Sequence, residues 1–209
     1  MVEIIRNAHD DQVAGWLYHR LVAAERAGPA DTRVPLCLPG GSTPRPVLEA
    51  LAGAPLDWRR FAIWPGDDRC VPVDHPASNA GMIGTALGIV GAEVVPLTED
   101  ATPPRFALTW LGMGEDGHVA SLFPETDPQP DDPQSIRRIT PDPLPPHAPF
   151  DRITLTLPAL LATGELLFVI RGEQKLALFE GAMAGEIDLP VTRLLRGAEA
   201  QGIPVTCFA

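Results

Sequence analysis

Residues 34–44 read VPLCLPGGSTP, an apolar run broken by Pro39-Gly40-Gly41, and the chain resumes helical spacing at Val47, Leu48 and Leu51. A short run that is apolar almost throughout suits a strand buried on both faces. Thr43 is placed to cap the following helix, and Pro44 suits the first helical position because its missing N–H would be unpaired there. The stretch therefore reads as strand, glycine turn, helix.

The same rhythm recurs on either side. Phe61 to Trp64 ends at Pro65-Gly66, a polar loop carries Asp67, Asp68 and Arg69, and a helix is expected from Asn79 to Leu87. Phe106 to Leu111 stops at Gly112-Met113-Gly114, before a short helix-like piece over Val119 to Phe123. Arg152 to Leu157 alternates as a strand, Pro158 opens a short helix ending near Gly164, and Leu166 to Ile170 precedes Gly172 and a helix over Leu176 to Met183. Near the start, Val13, Trp16, Leu17, Leu21 and Ala24 share one helical face, with Asp10 or Asp11 as the cap; at the end, Ile203 to Phe208 reads as an edge strand. Alternating short strands and helices favour an α/β fold with a mainly parallel, Rossmann-like sheet. With no internal repeat and no linker, residues 1–209 read as a single domain.

Of 24 prolines, nine fall between Pro124 and Pro149, so that span is expected to be a long irregular loop. Sixteen Lys and Arg against 27 Asp and Glu leave a net charge of −11, which disfavours nucleic acid and anionic membrane surfaces. No apolar run approaches the roughly 20 residues of a membrane span, and the N-terminus lacks the pattern of a secretory leader, so a cytoplasmic protein is expected. Cys37, Cys70 and Cys207 are too few and too scattered for a disulfide framework or a metal site, and are taken as buried thiols.

Two glycine turns carry the candidate chemistry. In the first, Gly40 to Pro44 lies between a strand and a helix, where loop amides and the Ser42 and Thr43 hydroxyls converge on a place for an anion. The second, GMGEDGH at residues 112–118, formally satisfies GxGxxG. A dinucleotide site is rejected, because the piece after it meets Pro124 almost at once and no acid ends a second strand at the required distance. More informative is Asp116 two residues before His118, since a carboxylate beside an imidazole orients it and raises its basicity. His9, His19, His75 and His147 have no such setting, no set of metal ligands is evident, and no cofactor is expected. Arg69, Arg152 and Lys175 lie at presumed strand ends, where they supply local positive potential in an acidic chain.

The segments LPGGSTP, GDDRCVP with Ser78-Asn79 beyond it, LGMGEDGHVASLFP, RITLTLPAL and VIRGEQK occur in the order seen in the 6-phosphogluconolactonase family. The resemblance runs from Leu36 to Lys175, with weaker agreement at Leu189-Pro190. It implies a three-layer α/β/α fold and a hydrolase of 6-phospho-D-glucono-1,5-lactone that needs no metal or cofactor. It also implies that His118 is the general base, oriented by Asp116. The phosphate would lie against Gly41, Ser42 and Thr43, with Arg69, Arg152 and Lys175 supplying charge, and Asn79 either binding substrate or holding the Arg69 loop. The chain departs from the family in Asp67-Asp68-Arg69, where Asp-Glu-Arg is usual, and in a shortened span from Asn79 to Gly112 that puts one helical cover and the sheet edge in question. The related glucosamine-6-phosphate deaminases and isomerases share the Gly-Asp-Gly-His core but continue toward Asn-Glu-Pro, where this chain has Ala120 to Pro124. A sugar-phosphate sensor without catalysis is the third reading. Oligomeric state is left open.

Overall fold

The computed structural model describes residues 2–144 and 148–209, so His147 lies outside it. Among the described residues, ten strands form in chain order: β1 (Val2–Ile5), β2 (Val34–Leu38), β3 (Phe61–Pro65), β4 (Asp67–Arg69), β5 (Glu93–Val94), β6 (Leu108–Leu111), β7 (Ile136–Ile139), β8 (Arg152–Leu155), β9 (Leu166–Val169) and β10 (Val205–Phe208). Seven of them make one sheet in the order β1-β10-β9-β6-β2-β3-β5. Every pairing in it is parallel.

Among the described residues, six helices cover this sheet: α1 (Asp10–Ala27), α2 (Arg45–Ala52), α3 (Asn79–Ala86), α4 (Leu157–Leu161), α5 (Glu173–Ala184) and α6 (Pro190–Ala200). The strand alternation assigns them to faces. Leu36, Leu108, Trp110, Leu167 and Phe208 pack with Val13 and Leu17 of α1, Leu48 of α2 and Ile83 of α3. Cys37, Leu111, Leu166, Phe168 and Cys207 point the other way, onto Leu160 of α4, Phe179 of α5 and Leu194 of α6. Two cores on two faces make the three-layer α/β/α arrangement, as a parallel sheet with short crossovers requires.

Several local expectations are corrected. Asp67–Arg69 is not loop: it is the antiparallel partner of β8, and with β7 it forms a second sheet in the order β4-β8-β7. Strand β7 lies inside the proline-rich span, where Ile136 is buried beneath exposed Arg137 and Arg138. Val119 to Phe123 is no helix, because Val119 bridges both Met113 and Leu122 and Ala120 takes a φ of 50°. The C-terminal strand is interior to the sheet, since β1 pairs beyond it as the edge. At α2 the cap position is Pro44, whose own dihedrals are already helical and whose carbonyl accepts from Leu48 at 2.9 Å, so Thr43 does not cap. At α1 the cap is His9, whose N–H donates to the Gln12 side chain at 2.9 Å. Cys70 is only partly buried, unlike Cys37 and Cys207. In the shortened span only a 3-10 turn (Gly88–Val90) follows α3, and the two-residue β5 closes the sheet.

Asp68 ties the second sheet to α3. Its carboxylate accepts from the backbone N–H of Asn79 at 2.6 Å and of Ala80 at 2.9 Å, and from the Ser78 hydroxyl at 3.2 Å. The shorter acid thus fits its place by capping a helix across the chain. Charged capping bonds of this kind contribute about 1.5–3 kcal/mol. Asp68→Ala should therefore lower unfolding free energy by about 2 kcal/mol or more in urea titration, and an unchanged midpoint would contradict the assignment.

Candidate active site

The sheet delivers the site's parts at the C-terminal ends of its strands, as open parallel sheets do. Strand β6 runs into the turn 112–118, which is closed by Gly114 N–H donating to His118 C=O at 3.0 Å and Gly117 N–H to Gly114 C=O at 3.2 Å. His118 Nδ1 then lies 2.6 Å from Asp116 Oδ1. A Cβ on Gly114 would fall 2.1 Å from His118 Nδ1, so only glycine lets the imidazole lie back against the turn. Gly117 has a φ of +79°, and its carbonyl accepts from Val191 N–H at 3.1 Å, which fixes the turn to the start of α6.

Partial burial opposes ionisation of Asp116, but the hydrogen bond and charge of His118, with backbone N–H donors, outweigh it and hold the pKa below the usual carboxylate value. An ionised carboxylate only accepts, so the neutral ring keeps its proton on Nδ1 and Nε2 keeps a free lone pair. The Phe123 ring, 4.7 Å away between centroids, packs on the imidazole.

His118 lines a cavity of about 350 Å³ together with Asp67, Arg69, Ser121, Arg152 and Lys175. A second cavity of about 250 Å³ is lined by Gly41, Ser42, Thr43, Arg171 and Lys175. The two share Pro39, Gly40, Gly112 and Met113, and Lys175 lines both. The structure thus brings the expected residues together in two adjoining compartments, with the anion loop in one and the histidine in the other.

Arg69 and Arg152 are direct cross-strand partners. Arg69 Nη1 donates to Ala77 C=O and Asn79 Oδ1, both at 2.9 Å. Arg152 is almost fully buried and donates to the carbonyls of Phe150 and Ala148. Burial first, and then the Arg69 charge, lowers its pKa from the usual guanidinium value. Like charges set opposite each other repel. Two residues before Arg69 on β4, the partly buried acid Asp67 lines the same cavity and takes a hydrogen bond from Ser121 Oγ. Lys175 Nζ donates to Met113 C=O at 3.1 Å.

Asn79 lines the histidine cavity and is tied into the surrounding scaffold. Its amide donates to Asp67 C=O at 2.8 Å while its oxygen takes the Arg69 bond, and Gly40 approaches so closely that a Cβ there would lie 2.0 Å from Asn79 Oδ1. Of its two expected roles, the structure supports holding Arg69. The Asp67–Ser121 contact and Arg171 were not foreseen. Ser121 sits three residues beyond His118, but its acidic partner is 54 positions away, and no local pattern marks the pair. Among the described residues, no three His, Cys, Asp or Glu side chains converge as metal ligands, and no helix is long and apolar enough to cross a membrane.

A sequence profile described as glucosamine-6-phosphate isomerases/6-phosphogluconolactonase matches residues 8–104 and 90–202. The 6-phosphogluconolactonase of Pseudomonas aeruginosa is 36% identical over 185 residues, covering 77% of each chain. That of Pseudomonas putida is 33% identical over 219 residues, covering 93% of this chain and 89% of its own. The crystal structure of 6-phosphogluconolactonase from Thermotoga maritima superposes with a TM-score of 0.81 at 26% identity, over 100% of this chain and 99% of the other.

Asp67 gives the site a measurable signature. Burial is the main cause that raises its pKa above the ordinary 3.8, aided by Asp68 and opposed by Ser121, Arg69 and His118. A carboxyl that holds its proton more tightly in the folded state contributes most below the unfolded pKa, and that contribution is lost as pH rises through the folded value. Asp67→Asn has no such loss. Its melting temperature relative to the native protein should therefore climb from pH 4 to pH 8, whereas a difference that is flat or falls over that range would contradict the assignment.

Proposed function

The chain belongs to the glucosamine-6-phosphate isomerase/6-phosphogluconolactonase family, and we propose that in it His118 and Asp116 direct water at the carbonyl of 6-phospho-D-glucono-1,5-lactone. The reaction is lactone hydrolysis to 6-phosphogluconate in the pentose phosphate pathway. We assign the cytoplasm as its compartment, where that pathway supplies the substrate.

The observation that carries the mechanism is the 2.6 Å contact of His118 Nδ1 with Asp116, on a ring that lines a cavity also lined by three cations. As the water oxygen adds to the lactone carbon, His118 Nε2 takes its proton and Asp116 steadies the imidazolium. Collapse of the tetrahedral intermediate breaks the bond to the ring oxygen, which receives that proton and leaves as the C5 hydroxyl. A lactone is already an activated acyl group, so general-base help of about 10²- to 10⁴-fold, with positioning through the phosphate, is sufficient. No nucleophile elbow is present in the sequence to suggest an acyl-enzyme.

The phosphate is assigned to Gly41, Ser42 and Thr43, beside Lys175. Arg69 and Arg152 supply positive charge from the histidine compartment. Their positive potential favours an anionic ligand over a neutral one. Asn79 serves by fixing Arg69.

Purified protein given freshly prepared 6-phosphogluconolactone should hydrolyse it well above the spontaneous rate, and no acceleration would overturn the reading. His118→Ala should retain the fold and 6-phosphogluconate binding while losing at least about 10²-fold in kcat. Gly114→Ala should also lower kcat steeply, because its Cβ displaces the imidazole. Arg152→Ala and Lys175→Ala should act mainly on KM for the phosphorylated lactone. Native turnover in His118→Ala would remove the assigned base.

A further inference from the structure

The smaller cavity holds a cation that the assignment above leaves unused. Arg171 follows β9 and lines that cavity with Gly41, Ser42, Thr43 and Lys175. Its Nη2 is tied to Asp10 Oδ1 of α1 at 2.8 Å, while Nη1 is buried with no hydrogen-bond partner among the described residues. The cavity's lining includes no carboxylate, whereas the histidine compartment contains Asp67. Two cations, two hydroxyls and a glycine turn without an acid match a phosphate dianion. Their chemistry fits a neutral polyol poorly.

We propose that Arg171 is a specificity-determining residue for the phosphorylated substrate, reading the phosphate from the cavity side opposite the histidine compartment and paired there with Lys175. This rests on the reading that a sugar phosphate spans the two cavities. Asp10 anchors the guanidinium to α1, so its charge stays beside the cavity in the free protein. The guanidinium is 36% exposed, and its charge, with that of Lys175, attracts a phosphate into the cavity that both line. The three hydroxyl-bearing or glycine positions orient the group, and the two cations select it by charge.

The test uses equilibrium binding, so it does not depend on turnover. Calorimetric titration of the full chain with 6-phosphogluconate should give a dissociation constant about tenfold weaker for Arg171→Gln than for the native protein. Inorganic phosphate should weaken in the same way, and Arg171→Lys should restore most of the affinity for both. Gluconate, which lacks the phosphate, should lose nothing. Equal weakening toward gluconate and 6-phosphogluconate would show that Arg171 acts only through its tie to α1, and unchanged 6-phosphogluconate affinity would exclude contact with the phosphate; either result overturns the proposal. A protein that binds 6-phosphogluconate through Arg171 yet does not hydrolyse the lactone would leave this inference standing and remove the catalytic one.

Discussion

The structure depends on one residue, Gly66, at which the chain passes from one sheet to the other. Its N–H donates to Leu38 C=O at the end of β2, and its carbonyl accepts from Leu155 N–H of β8 at 2.9 Å. On one side of it β3 lies in a parallel sheet, and on the other β4 lies in an antiparallel one. That junction forces the acid and cation strand Asp67–Arg69 to emerge beside the C-terminal ends of the parallel strands, where the Gly112 turn also emerges. The site is a consequence of two hydrogen-bonding directions meeting at one point.

The chemistry follows from what the junction brings together. The chain as a whole carries −11, yet Arg69, Arg152 and Lys175 line one cavity with a single acid, Asp67, among them. A field of that sign draws in a small anion while the rest of the surface repels large ones. In the proposed reaction the histidine needs no partner beyond Asp116, because a lactone is already an activated acyl group. The proline-rich span takes part in this arrangement: the carbonyls of Ala148 and Phe150 hold the Arg152 guanidinium. Arg193 of α6 clasps Asp127 and the Pro128 carbonyl at its other end. The described ends of this stretch, whose prolines suit a long irregular loop, are thus tied to the cation beside the site and to α6.

The five inner strands of the central sheet were legible because burial on both faces makes each a nearly continuous apolar run, and Val34–Leu38 has the bounds that the run predicts, whereas edge strands β1, with Glu3, and β5, of two residues, carry no such run. His118 and Asp116 were legible for a different reason, being two residues apart in one turn. What escaped was built from distant or patternless parts. Asp67-Asp68-Arg69 has no apolar alternation, and its strand exists only because β8 arrives from more than 80 positions away. Helix α6 did carry a signal that went unread, with Val191, Leu194, Leu195 and Ala198 buried at helical spacing behind Pro190. Asn79 was visible as a candidate, but whether it meets substrate or supports Arg69 depends on the approach of Gly40, which only the packed structure fixes.

The most direct measurement of the account is a crystal structure with 6-phosphogluconate bound. A carboxylate oxygen of the product should lie within about 3 Å of His118 Nε2, and the phosphate at Ser42, Thr43 and Lys175. A product bound in the reverse sense, with its phosphate on His118 and its carboxylate on the Gly41 loop, would contradict it.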